Sequence, residues 1–113
     1  MAKLKLVALT TPIEGREAEY HDWYQNTHLH ELCAIPGVKS AQRYQLVTKM
    51  IGADTNPWMA IYDIECDDPM QFLQAVGQAS ASGKMTPGTA SDMAVSYTAL
   101  FAEYGEPVIA KGA

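Results

Sequence analysis

Two runs of alternating apolar and polar residues lie between two helical patterns, and this order restricts the chain to few folds. The runs span 38–48 and 58–66, and the segment between them contains Gly, Asp, Asn and Pro, which are turn residues. An apolar run at 3–10 precedes the first helical pattern, and an alternating run at 94–104 follows the second. The order β-α-β-β-α-β predicts a ferredoxin-like α+β fold, in which two helices cover one face of a four-stranded antiparallel sheet.

Capping and breaking residues mark the two helical patterns. The first pattern ends before Pro36, and the breadth of its apolar positions predicts a bend or a second segment after Asn26. The second begins at Asp68, an N-cap residue followed by proline at the first helical position, and it fades before Gly83. The loop 83–92 is rich in Gly, Pro, Ser and Thr, and it either covers a pocket entrance or is a plain connection.

Length, charge and cysteine content exclude several classes of protein. A chain of 113 residues has the size of one domain, which we expect to span 1–105 with a C-terminal tail at 106–113. The formal net charge of −5 argues against nucleic acid or an anionic membrane as a partner, since both bind positive surfaces. Because no apolar stretch has the length of a signal-peptide core or a membrane span, we expect a cytoplasmic protein. Cys33 and Cys66 lack CxxC spacing and are expected to be buried free thiols.

The second face of the predicted sheet is also apolar, which helices on one face do not explain. In the run 94–104, one side carries Val95, Tyr97, Ala99 and Phe101, and the other Ala94, Thr98, Leu100 and Ala102. A sheet that is covered on one side usually presents a polar second face to water. A second copy of the same sheet, related by twofold symmetry, would cover this surface. The pattern therefore predicts a homodimer whose two sheets face each other.

All three histidines lie within residues 20–32, together with one tryptophan and two tyrosines. On an unbroken helix His21, Tyr24 and His28 share one edge. His28 is the best candidate for acid–base catalysis, because a partly desolvated histidine can titrate near neutrality. The alternative is a histidine at the helix border that is bonded to a backbone carbonyl. A three-histidine metal site is disfavoured because His28 and His30 point in opposite directions on a helix and the His-Glu-x-x-His arrangement is missing.

Tyrosines in the strand patterns are further candidates. Tyr44, Tyr62 and Tyr97 hold positions from which a phenol could donate a hydrogen bond to a ligand oxygen, and the alternative is packing with the hydroxyl in water. Arg43 and Tyr44 are adjacent, so only one of them can face the helices. Asp63 is expected to pair with Arg43 across the sheet.

A longer motif extends from Glu14 to Tyr44. It reads Glu14-Gly15, then Trp23-Tyr24-x-x-x-His28-Leu29-x-Glu31-Leu32, then Pro36-Gly37-Val38 and Ala41-x-Arg43-Tyr44. This motif resembles the first half of EthD-like proteins in the dimeric α+β barrel superfamily. The resemblance implies a ferredoxin-like protomer that pairs sheet to sheet, and a pocket between sheet and helices to which His28 contributes. His30 stands where many relatives have proline.

The superfamily that this motif resembles includes cofactor-free cyclases, isomerases, decarboxylases and oxygenases, as well as haem-degrading members, so the fold does not decide the reaction. We expect an enzyme that performs cofactor-independent acid–base chemistry on an aromatic or polyketide-like compound, as a cyclase, isomerase or lyase. His28 would be the general acid or base. The expected substrate-binding residues are Trp23, Tyr24, Tyr44, Tyr62 and Tyr97. The alternatives are a non-catalytic ligand-binding or accessory protein, and an oxygenase, which in a haem-dependent form would need His28 as axial ligand.

Overall fold

The computed structural model describes residues 1–54 and 56–112 and shows an antiparallel sheet with helices on one face. The strands are β1 (Ala2–Thr10), β2 (Val38–Gln45), β3 (Trp58–Cys66) and β4 (Tyr97–Ala102), and the helices are α1 (Glu17–Trp23), α2 (Leu29–Cys33) and α3 (Pro69–Ala81). A π-helical turn at Tyr24–His28 joins α1 to α2. The strand order β2-β3-β1-β4 confirms the ferredoxin-like α+β fold.

The pairing of β1 with β3 decides which residues lie under the helices. Leu6 pairs with Tyr62, and Ala8 pairs with Ala60, so all four side chains share the face that the helices cover. We call this the helical face and the other side of the sheet the open face. The helices contribute to the same core through Tyr20, Tyr24, Leu29, Leu32 and Phe72.

A β-bulge at the start of β2 changes the alternation that the sequence predicts. Val38 pairs with Ile64, whereas Ser40 pairs with the preceding residue of β3, Asp63, so one extra residue lies between the two pairs. The sequence pattern places Val38 and Ser40 on one face, but the bulge turns Val38 toward the helices and Ser40 toward the open face. From Ser40 onward the predicted alternation holds.

The bend that the sequence predicts after Asn26 is a π-helical turn. The Leu29 N–H donates to the carbonyl oxygen of Tyr24, five residues earlier, and the backbone stays helical at both junctions. Such a turn contains one more residue than an α-helical turn. The helix therefore continues from Glu17 to Cys33, but the side chains after the π-helical turn point in directions that differ from those of an unbroken α-helix.

Two predicted strands are shorter in the structure. The strand predicted at 94–104 begins at Tyr97, because the Asp92 carboxylate accepts a hydrogen bond from the Ala94 N–H and holds that segment in a turn. The strand predicted at 38–48 ends at Gln45. The helix predicted at Asp68 begins as expected, with the Asp68 carboxylate accepting from the Met70 N–H.

Two smaller predictions were wrong. Asp63 does not pair with Arg43, because the register places them on opposite faces. Its carboxylate accepts hydrogen bonds from Lys5 and Ser40 on the open face. Both cysteines are free, as expected, but Cys33 is exposed and Cys66 is only half-buried.

No helix in the described part of the chain is long and apolar enough to cross a membrane.

Candidate functional site

A cavity of about 430 Å³ lies between the helical face of the sheet, the π-helical turn and the loop 83–92. Its floor is formed by Leu6, Ala8, Tyr62 and Thr98, its walls by Trp23, Tyr24, His28 and Val76, and its cover by Met85, Thr86, Pro87 and Gly88. This volume is within the range of small-molecule sites. The loop 83–92 therefore lines the cavity, so it is more than a plain connection between elements.

His28 is held in the cavity wall by aromatic rings. Its imidazole stacks on the Trp23 indole with ring centroids 4.3 Å apart and 19° between planes. Tyr24 meets it edge-on at 5.2 Å, and Tyr62 of β3 does so at 6.4 Å. The π-helical turn brings Trp23, Tyr24 and His28 together, because it aligns residues five positions apart, such as Trp23 and His28, whereas an α-helix aligns residues three or four positions apart.

Two buried polar atoms of this wall are unpaired. His28 Nδ1 has no hydrogen-bond partner among the residues that the structure describes, and the Tyr62 hydroxyl has none within hydrogen-bonding distance, although after burial the nearby Tyr24 hydroxyl also raises the pKa of Tyr62. Nearly all buried polar atoms in native proteins have a partner, so an unpaired one needs an explanation. Both residues line the cavity, and a bound molecule there could satisfy both atoms. The Nδ1 atom is thus not bonded to a described backbone carbonyl, which was the structural alternative for this histidine.

Burial sets the protonation of these side chains. It lowers the pKa of His28 from the ordinary 6.5 to about 4, and the Glu31 carboxylate opposes this shift in part. Burial also raises the pKa values of Tyr24 and Tyr62. At neutral pH the site therefore contains a neutral imidazole, which can accept a proton, and two protonated phenols, which can donate hydrogen bonds.

The cavity wall has a uniform electrostatic character. Within residues 1–54 and 56–112, no Asp, Glu, Lys or Arg side chain lines it. Its polar groups are neutral, and besides those already named they include hydroxyls of Ser80, Ser91 and Ser96. The sequence patterns did not single out these serines. Strand alternation placed Thr98 correctly, on the face of Leu100.

The loop 83–92 is fixed to the helices at several points. The Trp23 Nε1–H donates to the Thr86 carbonyl oxygen at 3.0 Å. The Glu31 carboxylate accepts from the Thr86 N–H at 2.9 Å and from its Oγ1 at 2.8 Å. Gly88 lies so close to the indole that a Cβ built on it would be 2.5 Å from Trp23. The EthD-like motif contains Glu31, but no sequence pattern gave Glu31 or Thr86 a role in the site.

The structure brings four of the six predicted site residues together and separates the other two. His28, Trp23, Tyr24 and Tyr62 share the cavity. Tyr44 pairs with Met59 and Tyr97 pairs with Leu9, and these positions face the open side of the sheet. Neither tyrosine can line this cavity within one protomer, because neighbouring strand residues point to opposite faces.

His21 occupies a second aromatic cluster that does not line the cavity. Its Nδ1 lies 2.9 Å from an Arg43 guanidinium nitrogen and accepts from it, and its ring is 4.4 Å from that of Trp58. The guanidinium lies over the Tyr24 and Trp58 rings, at 5.0 and 5.1 Å. Burial and the charge of Arg43 lower the pKa of His21. In the described part of the chain no group of His, Cys, Asp or Glu side chains is placed to hold a metal ion.

The fold and the cavity define a ferredoxin-like α+β protein with a pocket of small-molecule size between sheet and helices. It is similar over 96% of its length to an ethyl tert-butyl ether D (EthD) family protein from Bacillus halodurans C-125, covering 100% of that chain at 25% identity and a TM-score of 0.61. It shares its fold with a candidate monooxygenase from Shewanella loihica PV-4, at 17% identity, a TM-score of 0.60 and coverage of 98% and 99%. No family model matches the sequence, and no curated protein does. The likeness to the Bacillus halodurans protein agrees with the EthD-like resemblance of the motif from Glu14 to Tyr44, and the likeness to the Shewanella loihica protein shows the common fold.

Proposed function

We propose that this chain is a small-molecule enzyme that binds a neutral aromatic or polyketide-like compound in the cavity and moves a proton with His28, without a cofactor. One observation carries the proposal. Two buried polar atoms without partners, His28 Nδ1 and the Tyr62 hydroxyl, lie in the wall of a largely apolar cavity. A few placed polar groups in an apolar pocket are typical of ligand sites.

His28 would act as the general base. Its imidazole is neutral at physiological pH because burial lowers its pKa to about 4, and in the Nε2–H tautomer Nδ1 has a lone pair that can take a proton. The same low pKa makes it a weak base, so other groups must stabilise the imidazolium. The nearby Glu31 carboxylate favours the imidazolium that this transfer creates, since it raises the pKa of His28. The stacked Trp23 ring limits the rotation of the imidazole, which keeps the base in one orientation.

Tyr62 would stabilise the charge that the proton leaves behind. When a proton is removed next to a carbonyl, the electron pair moves onto the carbonyl oxygen, and a phenol that donates a hydrogen bond to that oxygen lowers the barrier. Burial keeps the Tyr62 phenol protonated, and Tyr24 is a second donor beside it. The resulting enolate can close a ring, shift a double bond or expel a leaving group. These three reactions are those of a cyclase, an isomerase and a lyase, respectively.

The neutral wall supports a neutral ligand. A carboxylate would lose its hydration in this cavity without meeting a cation, which is costly. 2-Naphthol and 2-naphthoate are a matched pair of probes that differ in this charge. We expect 2-naphthol to bind at least about tenfold more tightly, measured by fluorescence titration. Equal affinities for the two probes would contradict the neutral-ligand proposal.

The catalytic and accessory functions are separated by product analysis. The purified protein is incubated with a panel of neutral aromatic and polyketide-like ketones, and each mixture is examined for saturable binding and for new products. We expect at least one ketone to give a product at a rate that scales with protein concentration. Saturable binding of these ketones without any product would instead establish a ligand-binding or accessory protein.

Oxygenation is a second candidate for the same site. The chain shares its fold with a candidate monooxygenase, and a carbanion held in an apolar cavity is also a species that can react directly with O₂. The panel reactions are therefore run in an oxygen-electrode cell. Consumption of one O₂ for each substrate lost supports oxygenation, whereas conversion at an unchanged O₂ level supports proton-transfer chemistry alone.

We further propose that the protein acts in the cytoplasm as a homodimer paired through the open face. Tyr97 on that face is 52% exposed in one protomer and Phe101 is 51% exposed, so the face presents uncovered apolar side chains beside the Lys5–Asp63 pair. Tyr97→Arg should convert a dimer to a monomer in light scattering. The matched control is Tyr104→Arg, because Tyr104 is also exposed but lies in the C-terminal segment. A wild-type monomer, or a dimer that survives Tyr97→Arg, would overturn this pairing.

A further inference from the structure

A series of contacts links Glu31 of α2 to His28 through the loop 83–92. The Glu31 carboxylate accepts two hydrogen bonds from Thr86, from its N–H at 2.9 Å and from its Oγ1 at 2.8 Å. The carbonyl oxygen of Thr86 accepts from the Trp23 indole N–H at 3.0 Å. The indole in turn stacks on His28 at 4.3 Å. Thr86 is thus held on one side by a carboxylate and on the other by the ring that supports the histidine.

This arrangement leaves the Trp23 indole little freedom to move. The six-membered part of the ring is in contact with Gly88, where even a methyl group would not fit. A hydrogen bond at Nε1, the Gly88 backbone and the His28 ring therefore constrain the indole at once. If the loop moves away, the indole loses its hydrogen bond and its Gly88 contact together.

The loop has a second anchor that lacks this connection. Arg16 donates from its guanidinium to the Thr89 carbonyl oxygen at 2.9 Å and to the Thr89 Oγ1 at 3.2 Å. Arg16 is also paired with Glu19, on the outer side of α1. Thr89 makes no hydrogen bond to Trp23, so this anchor reaches the ring only through the packing of the neighbouring Gly88 and leaves the indole N–H bond to Thr86 intact. The two anchors can therefore be compared in the same molecule.

We propose that Glu31 is a positioning residue that couples closure of the loop 83–92 to the orientation of His28. The inference rests on the proposed function, in which His28 is the base of the cavity. The charge-assisted bonds from Thr86 to Glu31 close the loop. Closure fixes the Trp23 ring, and that ring fixes the imidazole. When the loop opens to admit a ligand, the imidazole loses its fixed orientation. The site can therefore transfer a proton only while the loop is closed.

The test measures hydrogen exchange of the two indole N–H groups by NMR in the full-length protein. Trp23 Nε1–H is bonded to Thr86, whereas Trp58 lies in the Arg43 cluster and is an internal reference. We expect Glu31→Ala to speed exchange at Trp23 by about tenfold or more, since loss of strong hydrogen bonds has effects of this size, and to leave Trp58 unchanged. Glu31→Gln keeps one acceptor oxygen for Thr86 and should recover part of the protection.

The matched control is Arg16→Met, which releases Thr89 and should leave exchange at Trp23 within about twofold of the wild type. If Glu31→Ala does not fold, Thr86→Val removes only the Oγ1 bond to Glu31. It should also speed hydrogen exchange at the Trp23 indole N–H, by a smaller factor. Unchanged exchange at Trp23 in folded Glu31 variants overturns the proposal, and so does an equal increase in Arg16→Met. A parallel increase at Trp58 also overturns it, because that indicates a general loss of structure.

A second measurement separates this proposal from the proposed function. Dissociation of 2-naphthol is followed by stopped-flow fluorescence in the wild type, Glu31→Gln and Arg16→Met. Faster release in Glu31→Gln alone supports coupling of the loop to the pocket. If 2-naphthol does not bind the wild type, the ligand site is in question, while the indole exchange still decides whether Glu31 holds Trp23 through Thr86.

Discussion

His21 and His28 lie on one continuous helix, on either side of the start of the π-helical turn, yet their surroundings give them different chemistry. Both rings are packed against aromatic side chains, and burial lowers the pKa of each. The Nδ1 atom of His21 accepts a hydrogen bond from Arg43, whereas that of His28 has no partner among the described residues. The comparison teaches that an aromatic setting alone does not make a reactive histidine. The unpaired Nδ1 atom of His28 distinguishes the two histidines.

The largest expected effect separates the two histidines by activity. His28→Ala should lower kcat of the reaction found in the ketone panel by about 10²–10⁴-fold, the usual contribution of a general base. His30→Ala is the matched control, because His30 is exposed two residues further along and should leave kcat unchanged. His21→Ala should also keep most of the activity, since its ring does not line the cavity. Equal losses in His21→Ala and His28→Ala would remove the distinction.

A substitution at Gly88 should disturb the surroundings of His28 and spare those of His21. A Cβ at Gly88 would lie 2.5 Å from a rigid indole ring, so Gly88→Ala must displace Trp23 or the loop. We expect a loss of about 1–3 kcal/mol in the free energy of unfolding, as in other overpacked sites, together with weaker 2-naphthol binding.

The control for that change is Gly77→Ala. Gly77 lies within α3, and no atom is within 4 Å of a Cβ built there. Alanine should raise the free energy of unfolding by about 0.5–1 kcal/mol through its better helix propensity. Urea unfolding measures both variants. A stable Gly88→Ala protein with unchanged probe binding would show that the loop contact with Trp23 is dispensable.

The low pKa of His28 predicts a specific loss of stability in acid. The folded-state pKa of about 4 is below the ordinary value of 6.5, so folding favours the neutral imidazole. Its contribution is therefore present above about pH 6.5 and is lost progressively as the pH falls toward 4. The Tm of the wild type should fall over this interval more than that of His28→Gln. Parallel curves for the two proteins would show that His28 is not desolvated in the folded state.

The smallest expected effect concerns His21. Arg43→Met removes the cation that helps to lower the pKa of His21, so that pKa should rise, although burial, the larger cause, remains. The same substitution should leave the pKa of His28 unchanged, because Arg43 does not affect it. NMR titration of the imidazole carbon protons measures both. Equal shifts at the two histidines would show that their surroundings are coupled.

Sequence patterns predicted the fold where each residue obeyed a regular period. β3 has no irregularity, and its bounds Trp58–Cys66 and both of its faces follow from simple alternation. At the start of β2 the bulge reverses one position, Val38, and no residue type there signals it. The bend after Asn26 was visible in the broad apolar pattern, but its π-helical form depends on one hydrogen bond, from Leu29 to Tyr24.

The candidate site was predictable only in its local part. Trp23, Tyr24 and His28 are close in sequence, so the local pattern could nominate them as a group. Helical spacing nevertheless put His28 on one edge with His21 and Tyr24, whereas the π-helical turn brings it onto Trp23. Tyr62 comes from a distant strand, and sequence parity could not choose it over Tyr44 and Tyr97, because the face of a strand relative to the helices depends on tertiary pairing.

The contacts of Glu31 with Thr86 span 55 residues, and no local pattern encodes such a pairing. Long loops owe their conformation to the elements they touch rather than to their own composition.

The π-helical turn makes the polar wall of the cavity dependent on backbone geometry as well as on chemistry. In a regular α-helix each residue advances about 100° around the axis, so two residues five positions apart, such as Trp23 and His28, would lie about 140° apart and could not stack. The π-helical turn takes up one extra residue and thereby brings the imidazole onto the indole face. Closing this turn to α-helical geometry without removing a residue would separate the two rings, although every amino-acid type that a motif records would still be present.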